Sequence, residues 1–199
     1  MAAKGLFLTL AALLLSTREV QADRVEVAPF VGVQNAGSVE SPSSGASVPI
    51  GSDLDFGGTV DVPFDPSWRI EALYSRQQTQ LAGGTAGRFD LAVERYMAGI
   101  QEQKGEGATR FFGVFLLGLT RFAPGVAGYG ADERFTLGLS LGLKTYLSNR
   151  FGFRVEARGF FVAVESGAGA VCNNGSCLFR YRASGLWQGD VSAGVLVAF

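Results

Sequence analysis

Beyond residue 23 the chain alternates apolar and polar side chains with a period of two, most cleanly over 134–147. Phe135, Leu137, Leu139, Leu141 and Leu143 fall on one side there, and Arg134, Thr136, Gly138, Ser140, Gly142 and Lys144 on the other. Successive side chains of a β-strand leave opposite faces, so this spacing predicts a strand with one apolar wall. Over 151–164, Phe151, Phe153, Val155, Ala157 and Phe161 oppose Arg154, Glu156 and Arg158. Over 186–199, Val191, Ala193, Val195, Val197 and Phe199 oppose Asp190, Ser192 and Gly194. Segments 24–34, 54–64 and 68–80 repeat the pattern, with Glu26, Asp55, Asp61, Arg69 and Glu71 on their polar sides. In 88–101, Phe89, Leu91 and Val93 oppose Asp90 and Glu94; Arg95 then lands on the apolar side, where a bulge or an interfacial position is expected. Segment 109–122 is apolar on both faces, and its parity stays open.

That makes eight strands. Their connections alternate in length: 65–67, 102–107 and 148–150 are short, whereas 35–53, 81–87, 123–133 and 165–183 are mostly longer. A meander with a turn end and a loop end has this rhythm. Within the first long connection, 41–47 (Ser-Pro-Ser-Ser-Gly-Ala-Ser) reads as a flexible loop.

Alternation alone fits two opposite barrels. A lipocalin-like one turns its apolar face inward; a membrane barrel turns it outward. The strands run about 11–14 residues, and roughly 9–11 suffice to cross a bilayer at a tilt. Only three lysines occur (Lys4, Lys104 and Lys144), few for a soluble exterior, and the mean hydropathy is +0.22. Aromatics gather near the turns (Phe64, Trp68, Tyr146, Phe151, Phe199) and near the loops (Phe89, Phe122, Phe135, Phe161, Trp187), as two interfacial girdles would. The expected fold is therefore all-β: an eight-stranded antiparallel up-and-down transmembrane β-barrel, with both termini on the turn side.

The first 22 residues differ. Lys4, an apolar run over 6–15 and the small-residue ending Val20-Gln21-Ala22 read as a cleaved secretory signal. Residues 23–199 then form one barrel domain in an oxidising compartment. A net charge of −1 offers nucleic acid no basic face. The chain has no histidine, which excludes Ser-His and Cys-His catalysis and His-ligated zinc.

The run Val25-Glu26-Val27-Ala28-Pro29-Phe30-Val31-Gly32 resembles the opening strand of small proteobacterial outer-membrane β-barrel proteins, relatives of OmpA, OmpX and OmpW. Residues 71–77 (Glu-Ala-Leu-Tyr-Ser-Arg-Gln), 154–159 (Arg-Val-Glu-Ala-Arg-Gly) and the closing strand extend the resemblance over essentially all of 23–199. It implies residence in the outer membrane of a Gram-negative cell, among its lipids and lipopolysaccharide. It also implies periplasmic chaperones and insertion by the barrel-assembly machinery, with Val191, Ala193, Val195, Val197 and Phe199 as the recognition signal. A periplasmic peptidoglycan-binding domain of the OmpA kind is not seen. Such relatives mostly carry no assigned activity, so the resemblance bears on place and fold more than on task.

Candidate chemistry is sparse. Cys172 and Cys177, in the fourth long connection of an exported chain, are read as a local disulfide, since two thiols without histidine make too few metal ligands. The strand registers send Glu26, Asp55, Asp61, Glu71, Asp90, Glu94, Glu156 and Asp190 into the lumen, with Arg69, Arg134, Lys144, Arg154 and Arg158. So narrow an interior demands that these pair, and the Arg154–Glu156–Arg158 wall is expected to interlock. No catalytic, cofactor or metal site is expected. Two roles stay open: a structural or surface-interaction barrel with a side-chain-plugged lumen, or an OmpW-like binding or passage of a small hydrophobic molecule. The second would use Phe111, Phe115, Leu117 and Leu119, or their neighbours, inside the barrel.

Overall fold

The computed structural model describes residues 24–35, 38–40, 47–49, 51–82, 88–165, 169–173, 176–181 and 185–199. Among the described residues twelve strands form in chain order: β1 (Glu26–Asn35), β2 (Ser38–Glu40), β3 (Ser47–Pro49), β4 (Asp53–Pro63), β5 (Trp68–Ala82), β6 (Arg88–Lys104), β7 (Thr109–Pro124), β8 (Asp132–Tyr146), β9 (Phe151–Ala163), β10 (Gly169–Asn173), β11 (Ser176–Arg180) and β12 (Gly185–Ala198). Eight of them close a barrel in the order β1-β12-β9-β8-β7-β6-β5-β4. Every neighbouring pair is antiparallel, and β1 closes the ring by pairing with both β12 and β4. Closure leaves no strand edge, which a chain crossing hydrocarbon requires. The four short strands, absent from the sequence reading, form a second sheet in the order β10-β11-β2-β3 beyond the loop end. The signal-like residues 1–22 and most of the Ser-rich 41–47 run lie outside the described residues.

Parity sorts the walls. On β4, Leu54, Phe56, Val60 and Val62 are exposed while Asp55, Thr59 and Asp61 are buried; β8, β9 and β12 follow the same scheme. The apolar wall thus faces out and the charged wall in, the arrangement of a membrane barrel. On β7, the open case, Phe112, Val114 and Leu116 point inward, and Phe111, Phe115, Leu117 and Leu119 form the outer wall. The β6–β7 turn needs positive φ at Gly105 (127°) and Gly107 (80°), where a side chain would be strained.

One strand contradicts the sequence reading. On β6 the odd positions Phe89, Leu91, Val93, Arg95 and Met97 face the lumen, and no bulge interrupts its ladders with β5 and β7. Glu94 and Asp90 therefore lie on the outer wall. Three expected girdle members, Phe89, Phe122 and Tyr146, are also buried inside the barrel. For β6, Phe89 and Phe122 the cause is shared: the upper lumen is apolar, so greasy side chains there point inward. Tyr146, at the turn end, points inward because its hydroxyl bonds the buried Glu26 carboxylate.

Candidate functional site

Inward-facing glycines make room for large aromatics, and those aromatics carry the cations. A Cβ at Gly142 would collide with the Phe112 ring, and one at Gly57 with the backbone of β5. The Phe112 ring supports the Arg154 guanidinium at 4.4 Å, Phe30 that of Arg158 at 4.2 Å, and Phe160 that of Arg95 at 4.4 Å. Stacking desolvated guanidinia on ring faces is favourable and fixes their planes for further bonds.

The turn-end half of the lumen is a continuous ionic lattice. Lys144, wholly buried, donates to Glu26 Oε2 at 2.7 Å, Asp61 Oδ2 at 2.6 Å and Gln101 Oε1 at 2.8 Å. Arg154 donates to Glu156 Oε2 (2.8 Å), Asp61 Oδ2 (3.0 Å), Glu71 Oε2 (2.8 Å) and Thr59 Oγ1 (3.0 Å). Arg69 pairs with Glu26 at 3.2 Å, and the Tyr146 hydroxyl donates to the same carboxylate at 2.6 Å. Arg158 completes the wall, donating to Glu156 at 2.8 Å and, at 3.2 Å, to both oxygens of Asp190. Glu156 thus bridges the two arginines that flank it on β9.

Asp61, Arg69, Glu71, Arg154, Glu156, Arg158 and Asp190 are accordingly brought together inside, along with Glu26, Lys144 and Asp55. Glu94 is not among them. It sits on the outer wall between its cross-strand partners Arg76 (3.2 Å) and Arg121 (3.3 Å), and Arg121 reaches Glu133 at 3.8 Å. Asp90, also outward, accepts from Gln80 at 3.0 Å. Arg134 faces inward at the mouth and pairs with Asp132 at 3.0 Å. Arg95 is the buried charged lumen residue that sequence reasoning missed, and Gln34, Gln77, Gln101 and Gln188 are lumen residues it did not single out; a cation amid apolar neighbours in a membrane strand was itself the clue to its side.

The loop-end half changes character. Phe89, Leu91, Val93, Phe122, Val162 and Leu186 line it, and the β10–β11 hairpin lays Val171, Leu178 and Tyr181 across its opening. Cys172 and Cys177, directly opposite in that hairpin, are joined as a disulfide. Val171 takes a φ of 54°, a region β-branched residues avoid, and its side chain is buried against the apolar lining. The Tyr181 hydroxyl donates to Asp132 at 2.9 Å, and Arg134 stacks on the Tyr181 ring at 5.3 Å, tying hairpin to barrel. Burial first, then the Asp132 carboxylate, push the Tyr181 hydroxyl well above its ordinary value.

The outer belt is uneven in height. On β9 apolar side chains run outward from Phe151 to Phe161. On β5 they run only from Trp68 to Tyr74 before Arg76, and on β6 Tyr96 and Ile100 lie between Glu94 and Glu102. The Tyr74 and Tyr96 rings meet at 5.2 Å just beneath the Arg76–Glu94–Arg121 row. Outward tyrosines below a charged row mark a hydrocarbon boundary.

A closed eight-stranded wall, an apolar exterior and a charge-filled interior define a transmembrane β-barrel of the outer-membrane type. Among solved structures, the chain is similar to Neisserial surface protein A, at 15% identity and a TM-score of 0.63 over 88% of this chain and 97% of that one. It is also similar to the outer membrane protein OprG of Pseudomonas aeruginosa, at 14% identity and a TM-score of 0.55 over 90% and 97%. The outer membrane protein AlkL aligns at 11% identity with a TM-score of 0.50, over 89% and 90%. No family model matches the sequence, and no curated protein matches it either.

Proposed function

We propose that the protein is a non-enzymatic outer-membrane barrel whose lumen is plugged by its own side chains and whose loops make its contacts. The observation that carries this reading is the ionic lattice: Lys144 and Arg154 between them hold Glu26, Asp61, Glu71 and Glu156 across the interior, which supports a lumen filled by its own side chains. The chain lacks a histidine base, and the carboxylates it buries in that lattice are bonded to cations, which disfavours catalysis. In this reading residues 1–22 are a cleaved signal. Lipid and lipopolysaccharide surround the belt, chaperones escort the chain, and Val191–Phe199 addresses it to the barrel-assembly machinery. Reconstitution into a planar bilayer tests the plug: the protein should give no lasting open level, and a stable open conductance would overturn the reading.

A second reading is favoured by the apolar upper lumen. Phe89, Leu91, Val93, Phe122 and Leu186 beneath the hairpin suit a small hydrophobic molecule better than an ion. Saturable quenching of tryptophan fluorescence by an aliphatic ligand, lost in Leu91→Asp, would support it; no ligand-dependent change would dismiss it.

A further inference from the structure

In the lower lumen each buried acid has a buried cation, and Arg110 on the Tyr146 ring adds positive charge at its mouth; the buried acids of the upper lumen are less fully matched. Glu26, Asp61, Glu71 and Glu156 are matched by Arg69, Lys144, Arg154 and Arg158, through ion pairs of 2.6 to 3.2 Å. Above them Asp55 and Asp190 remain, and the further cation at their level is Arg95, since Arg158 already serves Glu156. Among the described side chains buried inside the barrel, one negative charge is in excess. A charge held in a narrow, low-dielectric interior without compensation is costly.

The excess can be located. Asp55 is fully buried, and neither of its carboxylate oxygens accepts a hydrogen bond. Both nearby guanidinia direct their terminal nitrogens elsewhere, and neither buried Nε reaches the Asp55 carboxylate in a hydrogen bond. Arg95 donates to Gln34 Oε1 at 2.5 Å and to Gln188 Oε1; Arg158 donates to Asp190, Ser192 and Glu156. Three further oxygens without a donor of their own, or set acceptor against acceptor, share its level on the inner wall. The Asp190 carboxylate lies within hydrogen-bonding reach, as acceptor against acceptor. Gln77, its cross-strand partner, gives its amide nitrogen to the Gln34 and Gly51 carbonyls, which leaves Oε1 buried without a donor. Ser75, two residues along the same face, has an equally unpartnered Oγ.

Two carboxylates in contact, flanked by an amide and a hydroxyl oxygen, repel one another unless positive charge sits among them. We infer that the Asp55–Asp190–Gln77–Ser75 cluster binds one monovalent cation that the chain does not itself supply, either an alkali ion or a proton shared by the two carboxylates. A single charge meets the excess. A divalent ion would overshoot it, with Arg95 and Arg158 both close enough to act on Asp55. Carboxylate, amide and hydroxyl oxygens are the ligands such hard cations take. This assignment depends on the inward placement of these residues alone and stands or falls separately from the roles of loops and plug.

The folded full-length barrel in detergent micelles provides the test, with two readouts. Thermal unfolding is followed at constant ionic strength in lithium, sodium, potassium or choline chloride, and infrared spectroscopy looks for a protonated-carboxyl C=O band at neutral pH. An alkali ion at the site gives a melting temperature about 3–6 °C higher in the preferred salt than in choline, and the difference disappears in Asp55→Asn. A shared proton gives instead a carboxylic-acid band that Asp55→Asn removes. Wild-type protein indifferent to the alkali ion and lacking the band overturns the inference. Should Asp55→Asn fail to fold, the wild-type readouts still decide and Asp190→Asn serves as the control.

Discussion

Glu156→Ala is the most incisive perturbation of the lattice. Its Oε2 accepts from Arg154 Nε and from Arg158 at 2.8 Å each, in a site only 2% exposed. Truncation removes the shared anion between two stacked guanidinia. Removing one partner of a buried pair costs roughly 3–5 kcal/mol. Both arginines keep other carboxylates, Asp61 and Glu71 for Arg154 and Asp190 for Arg158, so the low end applies. At about 2–4 °C per kcal/mol for a domain of this size, a loss of about 3 kcal/mol lowers the melting temperature by about 6–12 °C. Circular dichroism melts in micelles, paired with heat-modified gel migration, measure the shift. Lys104→Ala is the control: its ion pair with Glu102 at 2.8 Å is exposed, and such pairs contribute little. If Glu156→Ala melts within about 1 °C of both wild type and Lys104→Ala, the interior charges are hydrated rather than interlocked, and the reasoning fails.

Three further outcomes are expected. A cysteine at Gly128, in a long loop, should react with a membrane-impermeant maleimide on intact cells, whereas one at Lys104 should require a permeabilised outer membrane; the reverse would invert the topology. Deleting Phe199, whose amide donates to the Val25 carbonyl at 2.9 Å, should reduce the folded outer-membrane fraction more than deleting Ser44, and equal levels would refute the role assigned to the closing strand. The raised Tyr181 hydroxyl stabilises the hairpin fully below its unfolded value of about 10 and loses that contribution only at more alkaline pH. Tyr181→Phe should therefore be more protease-sensitive in the loops than wild type at pH 7, with the gap closing only at strongly alkaline pH; an equal sensitivity at pH 7 would rule out the latch.

Strand number, order and the inward sense of β4, β5, β8, β9 and β12 were legible because their outer walls are uniformly apolar and their inner walls polar. The same rule misplaced Glu94 because lumen polarity reverses with height. At the level of Leu91 and Val93 the greasy side is the inner one, and alternation carries no label for which side is wet. Arg95 could have supplied that label, since its whole guanidinium is hidden within the barrel. β7 stayed ambiguous for a related reason: Phe112, Val114 and Leu116 pack the lumen while Phe115 and Leu117 face out, so both walls read alike. The short strands of the second sheet were invisible because three to five residues cannot establish a period. The Asp55 cluster was beyond reach for another cause. Which carboxylate goes without a donor depends on where neighbouring guanidinia are already committed, and only coordinates show that.

The uneven belt has a mechanical consequence. From Trp68 to Tyr74 the strand rises about 20 Å, and from Phe151 to Phe161 about 33 Å, at ~3.3 Å per residue. Strand inclinations of about 40° reduce these to thicknesses of about 15 and 25 Å. A bilayer of one thickness cannot match both sides. Either the molecule leans so that its β5–β6 flank sinks toward one leaflet, or the surrounding lipid compresses along that flank alone. In both cases hydrophobic mismatch is directional. Lipid beside Tyr74 and Tyr96 would be thinned, lipid beside Phe161 and Trp187 would not, and the barrel would prefer neighbours that relieve the strain on one particular side.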